Sequence, residues 1–174
     1  MKRHHPAWIA LGALLLTAAG SGCGPLGTFN MYHRISVLDY SVAPHKQGRV
    51  APESLQNVKE AAVRWLRSRN LFMEVDESGS GGGPDTLFVQ GVVTGYRGHS
   101  HGRTALNVFT GVDVRGLAII DYRFFDATGR TILTRRVQSR YRYPAPNGDP
   151  TAEAAGYDLA NFVAWHKSVR PGYR

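Results

Sequence analysis

The chain of 174 residues contains one cysteine, and the position of this cysteine suggests a specific chemistry. Cys23 directly follows three small residues, Gly20, Ser21 and Gly22, at the end of a leader whose residues 7–19 carry no charge. A thiolate is a strong nucleophile, and a thioether formed from it resists hydrolysis. A single sulfur excludes an intramolecular disulfide framework and a zinc site built from several thiolates. We therefore interpret Cys23 as an acceptor for covalent modification.

The first 22 residues are typical of an export signal. Lys2 and Arg3 form a basic start, and the apolar run that follows, residues 7–19, is 13 residues long. A membrane-spanning helix needs roughly 20 apolar residues, whereas the apolar region of a signal peptide needs about 7 to 15. We predict that residues 1–22 are a signal peptide that is removed. We expect no membrane-spanning segment after them.

Residues 20–23, with the sequence GSGC, resemble a lipobox, the acylation motif of bacterial lipoproteins, although Gly20 stands where that family has a branched aliphatic residue. The resemblance implies a diacylglycerol thioether and an amide-linked chain such as palmitate on Cys23. Several acyl chains hold a protein firmly on a membrane where one does not. The residue after the cysteine is Gly24 and not Asp. For a lipoprotein, the resemblance then implies sorting to the outer membrane, facing the periplasm. The alternative is ordinary cleavage after Ala19 or Gly20, which leaves a free thiol.

The composition is that of a globular protein with one domain. Hydrophobic residues make up 43% and charged residues 20%, so a wholly disordered chain is excluded. The formal net charge is +8, and most of the basic residues are arginine. We predict a lipidated tether at residues 23–30, one domain at residues 31–168 and a loose tail at residues 169–174.

The hydrophobic pattern predicts an α+β fold, with a mixed or mostly antiparallel sheet of about five strands and two helices packed on one face. Pro52 suits the first position of an amphipathic helix that ends at Asn70. An acidic Thr-Gly turn at residues 126–129 predicts a hairpin. Strands are predicted at residues 32–42, 71–75, 86–96, 117–125 and 131–143, loops at residues 76–85 and 97–116, and a second helix at residues 151–166.

The segment from Leu87 to Arg136 contains, in order, a strand ending near a Gly-Ser loop, a basic residue, a glycine-rich stretch and an acidic Thr-Gly turn. This order resembles a group of bacterial lipoproteins that share a domain of unknown function. A more distant similarity links the order of elements to the curli-secretion lipoprotein, an α/β sandwich with helices on one face. Neither resemblance implies a catalytic residue. The matching positions are Gly91, Tyr96, Ser100, Arg103, Gly111, Gly116, Asp126, Thr128 and Gly129.

Candidates for metal binding or catalysis are few. His99 and His101 lie in a glycine-rich loop and could ligate a metal, but zinc usually takes three or four ligands. Ser100 lies between them without the flanking sequence of a nucleophile elbow. Among the carboxylates, Asp126 is better explained as a turn residue, and Asp121 as the partner of an arginine on the adjacent strand. We predict no catalytic residue, no metal and no cofactor.

The hairpin carries most of the remaining candidates for binding. Its arginines could form a basic sheet face that holds an anion, because guanidinium groups bind phosphate and carboxylate in two-point geometry. An exported protein rarely meets nucleic acid, so an anionic lipid, an anionic glycan or an envelope protein is the expected partner. The alternative is a solvated face that discourages edge pairing. The candidate residues are Arg123, Arg135, Arg136, Arg140 and Arg142.

These observations favour one functional class over another. We predict a membrane-anchored envelope lipoprotein that acts as a non-enzymatic binding or assembly module for an unknown ligand. The alternative is an envelope hydrolase, or another small-substrate enzyme, whose site the sequence does not reveal. An enzyme should show buried polar groups that converge, whereas a binding module should show an apolar or basic outer patch.

Overall fold

A mixed sheet with two helices is built from residues 27–79, 82–98, 116–140 and 149–167, which are the residues described in this computed structural model. The fold class predicted from sequence is confirmed, with six strands in place of about five. The elements are β1 (Arg34–Val37), β2 (Ser41–Val42), α1 (Pro52–Arg69), β3 (Glu74–Asp76), β4 (Thr86–Arg97), β5 (Leu117–Phe125), β6 (Thr131–Arg140) and α2 (Pro150–His166), with a short 3-10 helix at Pro44–Lys46.

The strand order in the sheet is β3-β1-β4-β5-β6, and β2 also pairs with β4. Strands β1 and β2 run parallel to β4, and β1 also runs parallel to β3. Strand β5 is antiparallel to both β4 and β6. The short strand β3 and the longer strand β6 therefore form the two edges of the sheet.

The strand predicted over residues 32–42 is interrupted. Leu38 N donates to Val89 O at 2.9 Å, and Ala43 N donates to Val93 O at 3.0 Å, so both flanks still follow β4. Between them, Tyr40 turns into the core. A Cβ atom on Gly91 of β4 would lie 2.3 Å from Cε1 of Tyr40. The missing side chain at Gly91 thus makes the room that the tyrosine ring fills.

Helix α1 ends one residue from its predicted boundary. Pro52 opens it, Glu53 lies in its first turn, and Asn70 closes it in the left-handed conformation with φ of 53°. Its apolar face is buried, and Trp65 is half-buried at the rim of that face. The buried residues are Val58, Ala61, Ala62, Val63 and Leu66.

The strand predicted at residues 71–75 is shorter and begins later, as β3. Phe72 packs into the core, and Met73 N donates to His33 O at 2.8 Å. The chain therefore still turns from α1 toward the sheet at these two residues. Regular pairing with β1 starts only at Glu74.

Helix α2 packs against α1 and covers β5 and β6, while α1 covers β1 and β3. Asp149 caps its first turn by accepting a hydrogen bond from Thr151 N at 2.9 Å. A Cβ on Gly156 would lie 2.5 Å from the carbonyl carbon of Ala61. This glycine allows the two helix backbones to approach closely. None of the helices in the described ranges is long and apolar enough to cross a membrane.

The predicted hairpin is present, with β5 at its predicted bounds and Gly129 at φ of 82° in the turn. The register of the hairpin pairs Asp121 with Arg136, the arginine partner predicted for it on the adjacent strand, and Tyr122 with Arg135. Because alternate residues of β5 are buried, Tyr122 faces the helices and Asp121 faces the opposite side of the sheet. The buried residues of β5 are Ala118, Ile120, Tyr122 and Phe124.

Candidate functional site

Cys23, the strongest candidate from the sequence, lies outside the described residues, which begin at Gly27. The chain is attached to the core almost at once after that point. Phe29 is fully buried, its ring lies 5.0 Å from that of Phe124, and its N–H donates to His166 O at 3.1 Å. Asn30 N closes a turn onto Gly27 O at 3.0 Å.

The turn of residues 27–30, which forms the last part of the predicted tether, lies at one end of the sheet, which we call the tether end. Strands β1, β3 and β4 all begin there, because Arg34 pairs with both Glu74 and Thr86. Strand β5 ends beside them, since Phe125 pairs with Phe88 of β4. Both helices finish at this end, α1 leading into β3 and α2 meeting the turn of residues 27–30.

Lys167 joins three segments of the chain at the tether end. Its ammonium donates to the carbonyl of Tyr32 and lies 4.1 Å from the ring centroid of Phe72, just beyond the end of α1. Burial lowers the pKa of Lys167. A cation just past the last turn of α2 is favoured by the carbonyl groups exposed at a helix C-terminus. We interpret Lys167 as a structural clamp that fixes the entering chain to the helices.

Three large apolar side chains are exposed at the tether end. Met31 is 67% exposed, Met73 is 88% exposed and Trp165 is 64% exposed. The backbone hydrogen bond from Met73 to His33 places Met73 next to the segment that carries Met31. Trp165 directly precedes His166, whose carbonyl binds Phe29 N. The three side chains therefore surround the point where the chain enters the fold.

The exposure of Trp165 has a geometric cause. Arg69, the last residue of α1, donates to the side chain of Asn161 on α2. Trp165 lies one turn further along α2, past the end of α1, so the neighbouring helix does not cover it. Tyr157, one turn before Asn161, instead packs edge-on against Trp65 with ring centroids 5.1 Å apart.

The structure divides the arginines that the sequence grouped as an anion-binding face. Arg123, Arg136 and Arg140 lie on the side of the sheet away from the helices, whereas Arg135 lies on the helix side, 5.8 Å from the ring of Phe162. Arg142 lies outside the described ranges. Strand alternation explains the division, because neighbouring residues of β6 point to opposite faces.

Two of these arginines are already bound to other groups. Arg136 holds Asp121 in two-point geometry, with Nε–Oδ1 of 2.6 Å and Nη2–Oδ2 of 2.7 Å. This hydrogen bonding holds the pKa of Asp121 below its usual range. Arg123 donates to Thr131 Oγ1 at 2.8 Å and to Gly129 O at 3.0 Å. An incoming anion would compete with these partners.

Asp126 acts as the turn residue that the sequence predicted. Its carboxylate accepts from Thr128 Oγ1 at 2.6 Å, from Thr128 N at 3.0 Å and from Arg130 N at 3.1 Å. The Thr128 hydroxyl is the main cause that lowers the pKa of Asp126. Because its oxygens are occupied by the turn, Asp126 is not available as a general acid or base.

The other chemical candidates fall on parts of the chain that lie outside the described ranges. His99, Ser100 and His101 belong to residues 99–115. Within the described ranges, we find no group of three or more side chains suited to hold a metal ion.

Buried polar groups in the described ranges form several small clusters at separate places, one of which joins Tyr96 and the backbone of Thr151 to the carboxylate of Asp149. Ser36 donates to Asp76 Oδ2 at 2.9 Å near the edge of the sheet, and Thr151 donates to Arg97 O at 3.3 Å at the opposite end. The buried hydroxyls of Tyr40 and Tyr122 face each other from rings 6.0 Å apart, and burial raises the pKa of both tyrosines. These groups serve the packing of separate elements.

The sequence reasoning missed the exposed residues of the tether end. Trp165 carried a usable signal, because Tyr157, Asn161 and Trp165 recur every four residues, beside the apolar stripe of α2. Met31 carried none, since it precedes the first predicted strand, and Met73 carried none because the short strand predicted at residues 71–75 did not indicate which of its side chains is exposed. Lys167 was also missed, because burial of a lone lysine depends on the long-range contact with Tyr32.

Comparison with known proteins supports the fold. No protein-family model matches the chain, and no curated protein matches it by sequence. Among solved structures, a point variant of PelC from Paraburkholderia phytofirmans, crystallised as a dodecamer, is 12% identical with a TM-score of 0.52; the match covers 83% of this chain and 92% of that one. A Xanthomonas campestris protein of the DUF330 family is 9% identical with a TM-score of 0.50, over 78% and 84% of the two chains.

At such low sequence identity, these structural matches establish a shared fold only. The resemblance to lipoproteins with a domain of unknown function is therefore supported at the level of the fold, through the DUF330 protein. The lipobox part of that resemblance stays a prediction. The chain has the α+β fold seen in the PelC and DUF330 structures.

Proposed function

We propose that this protein is a lipoprotein of the bacterial envelope, attached to the outer membrane through acyl chains on Cys23 and facing the periplasm. In this proposal it acts as a non-enzymatic module that binds or assembles with another envelope component. The leader of residues 1–22 and the single thiol at the position of a lipobox cysteine support the anchoring.

The short connection between Cys23 and the core is the observation that carries the proposal. Gly27 is fixed by its hydrogen bond to Asn30, and Phe29 is buried. At most about 3.6 Å per residue is available in an extended chain, so Cys23 reaches no further than about 14 Å from Gly27. A domain held this closely would work at the membrane surface.

The shared fold supports a role in assembly. The PelC chain that has this architecture was crystallised as a dodecamer, so the fold is compatible with a chain that associates with other subunits. In the described part of this chain, buried polar side chains form small groups at separate places: Ser36 with Asp76 near one sheet edge, Tyr40 beside Tyr122 in the core, and Tyr96 with Asp149 and Thr151 at the end opposite the tether end. We take this scatter over several places to favour a binding module over an enzyme.

Fractionation of cells that express the full chain tests the anchoring. Cys23→Ser removes the acceptor thiol, and we expect the protein to leave the membrane fraction for the soluble fraction. Ser21→Ala is the control, since it changes the same small-residue segment but keeps the thiol, and it should stay with the membrane. Equal partitioning of Cys23→Ser and the unaltered protein would contradict the proposal.

A further inference from the structure

We propose that the tether end is a membrane-contacting surface, with Met31, Met73 and Trp165 seated in the lipid interface. This inference rests on the proposed function, because acyl chains on Cys23 would bring the surface to the bilayer. It adds an orientation: the domain would stand on the membrane by one defined end instead of swinging freely on its tether.

The position of the exposed apolar groups supports this orientation. Isolated exposed apolar residues are common and need no explanation. Here, however, Met31, Met73 and Trp165 account for three of the four large hydrophobic side chains that are exposed among the described residues. All three lie at the end where the chain emerges, whereas the fourth, Tyr157, packs against Trp65. Their shared location is the feature that requires a partner.

The length of the tether identifies the partner as lipid. The tether end begins at Gly27, about 14 Å at most along the chain from Cys23. A bilayer holding acyl chains at Cys23 would therefore lie within reach of the side chains that surround the entry point. A tryptophan suits this place, because its ring is apolar and its indole N–H can bond with water or a headgroup.

Most of the charge at the tether end is paired within the chain. Arg34 pairs with Glu74 at 3.4 Å, Arg67 with Glu77 at 3.8 Å and Arg130 with Asp126 at 3.2 Å. Arg69 and Lys167 also lie there, bonded to the uncharged Asn161 side chain and Tyr32 carbonyl. Because salt screens charges and not apolar contacts, contact made mainly by the three apolar side chains should persist at high ionic strength.

Tryptophan fluorescence of the acylated protein in vesicles tests the inference. After residue 22 the chain has two tryptophans, so Trp65→Phe reports on Trp165 alone, and Trp165→Phe is the matched control that reports on Trp65. Each variant is reconstituted into phosphatidylethanolamine–phosphatidylglycerol vesicles with and without brominated acyl chains. We expect Trp165 to lose most of its emission in brominated vesicles, at low and at high salt, while Trp65 keeps its emission.

Flotation of the same vesicles separates failure of the inference from failure of the proposed function. If the protein floats with the vesicles but Trp165 emits equally in both lipids, anchoring stands and the membrane-contacting surface is wrong. A blue shift of Trp165 without bromine quenching would indicate a second protein copy at this end and would also overturn the inference. Protein that carries no acyl chain and does not float would refute both. Circular dichroism verifies that each variant is folded.

Discussion

Individual side chains at the tether end are placed by contacts that cross the whole chain. Lys167 binds the carbonyl of Tyr32, and Phe29 packs against His166 with ring centroids 5.4 Å apart. Neither contact leaves a trace in local sequence, since the partners are separated by well over a hundred residues. Cys23, by contrast, could be singled out from the sequence alone. The features that mark it, the leader and the three small residues before it, are its neighbours along the chain.

Stability should depend on pH through His166. Burial lowers the pKa of His166, and the nearby charge of Arg135 lowers it further. The unfolded chain then binds more protons than the folded chain between the folded pKa and the ordinary value of 6.5. The free energy of unfolding should therefore fall as the pH is lowered through this window, by about 1.4 kcal/mol for each unit of pKa difference.

Urea unfolding between pH 7.5 and pH 5 measures this effect. We expect His166→Phe, which keeps a ring beside Phe29 and Phe162, to weaken the dependence of the unfolding free energy on pH. His45→Gln, which replaces an exposed histidine, is the control. A His166→Phe variant with the pH dependence of the parent would show that another group titrates.

Among the secondary-structure elements, the helices and the hairpin were predictable, whereas the interruption of the first strand was not. Pro52 and the apolar spacing located α1, and the Asp-Ala-Thr-Gly turn located the hairpin, because both signals are local. The interruption between β1 and β2 arises from a distant residue, Gly91, which accepts the ring of Tyr40. The faces of Arg135 and Arg136 were equally unpredictable, since a slip of one residue would exchange them.

A methyl group at Gly91 should destabilise the interrupted strand. The Cβ of Gly91→Ala would collide with the buried ring of Tyr40, which is itself packed against Tyr122. Overpacking of this kind typically costs about 1 to 3 kcal/mol. Gly98→Ala is the control, because its Cβ would meet nothing within 4 Å. Equal unfolding free energies for the two variants would mean that Tyr40 moves aside freely.

The close contact between α1 and α2 can be tested at Gly156. A methyl group added there has two opposing effects, a gain in helix propensity and a clash with α1. Replacing a helical glycine by alanine normally stabilises by about 1 kcal/mol. At Gly156 the added Cβ would lie 2.5 Å from backbone atoms of Ala61, which cannot rotate away. We expect Gly156→Ala to lower the melting temperature. Ala164→Gly on the same helix is the comparison, and its loss of stability should reflect only the lower helix propensity of glycine. A Gly156→Ala variant more stable than the parent would refute the close packing.

The domain as a whole has one end at which the entering chain, the ends of both helices and the starts of three strands meet. At the tether end, the entering chain, the last turn of α2 and the link from α1 to β3 are fastened together by Lys167. The hairpin face, which the sequence suggested for anion binding, is divided between two sides of the sheet and partly neutralised by Asp121. The architecture that positions these features is shared with the PelC and DUF330 structures.

Attachment through Cys23 is the central claim, and the mass of the mature N-terminus tests it most directly. The protein is purified from membranes of a bacterial host and digested, and its N-terminal peptide is analysed by mass spectrometry. We predict a peptide that begins at Cys23 and carries the added mass of a diacylglycerol group and an amide-linked acyl chain. A peptide that retains residues of the leader, or that begins at an unmodified residue, would contradict the account.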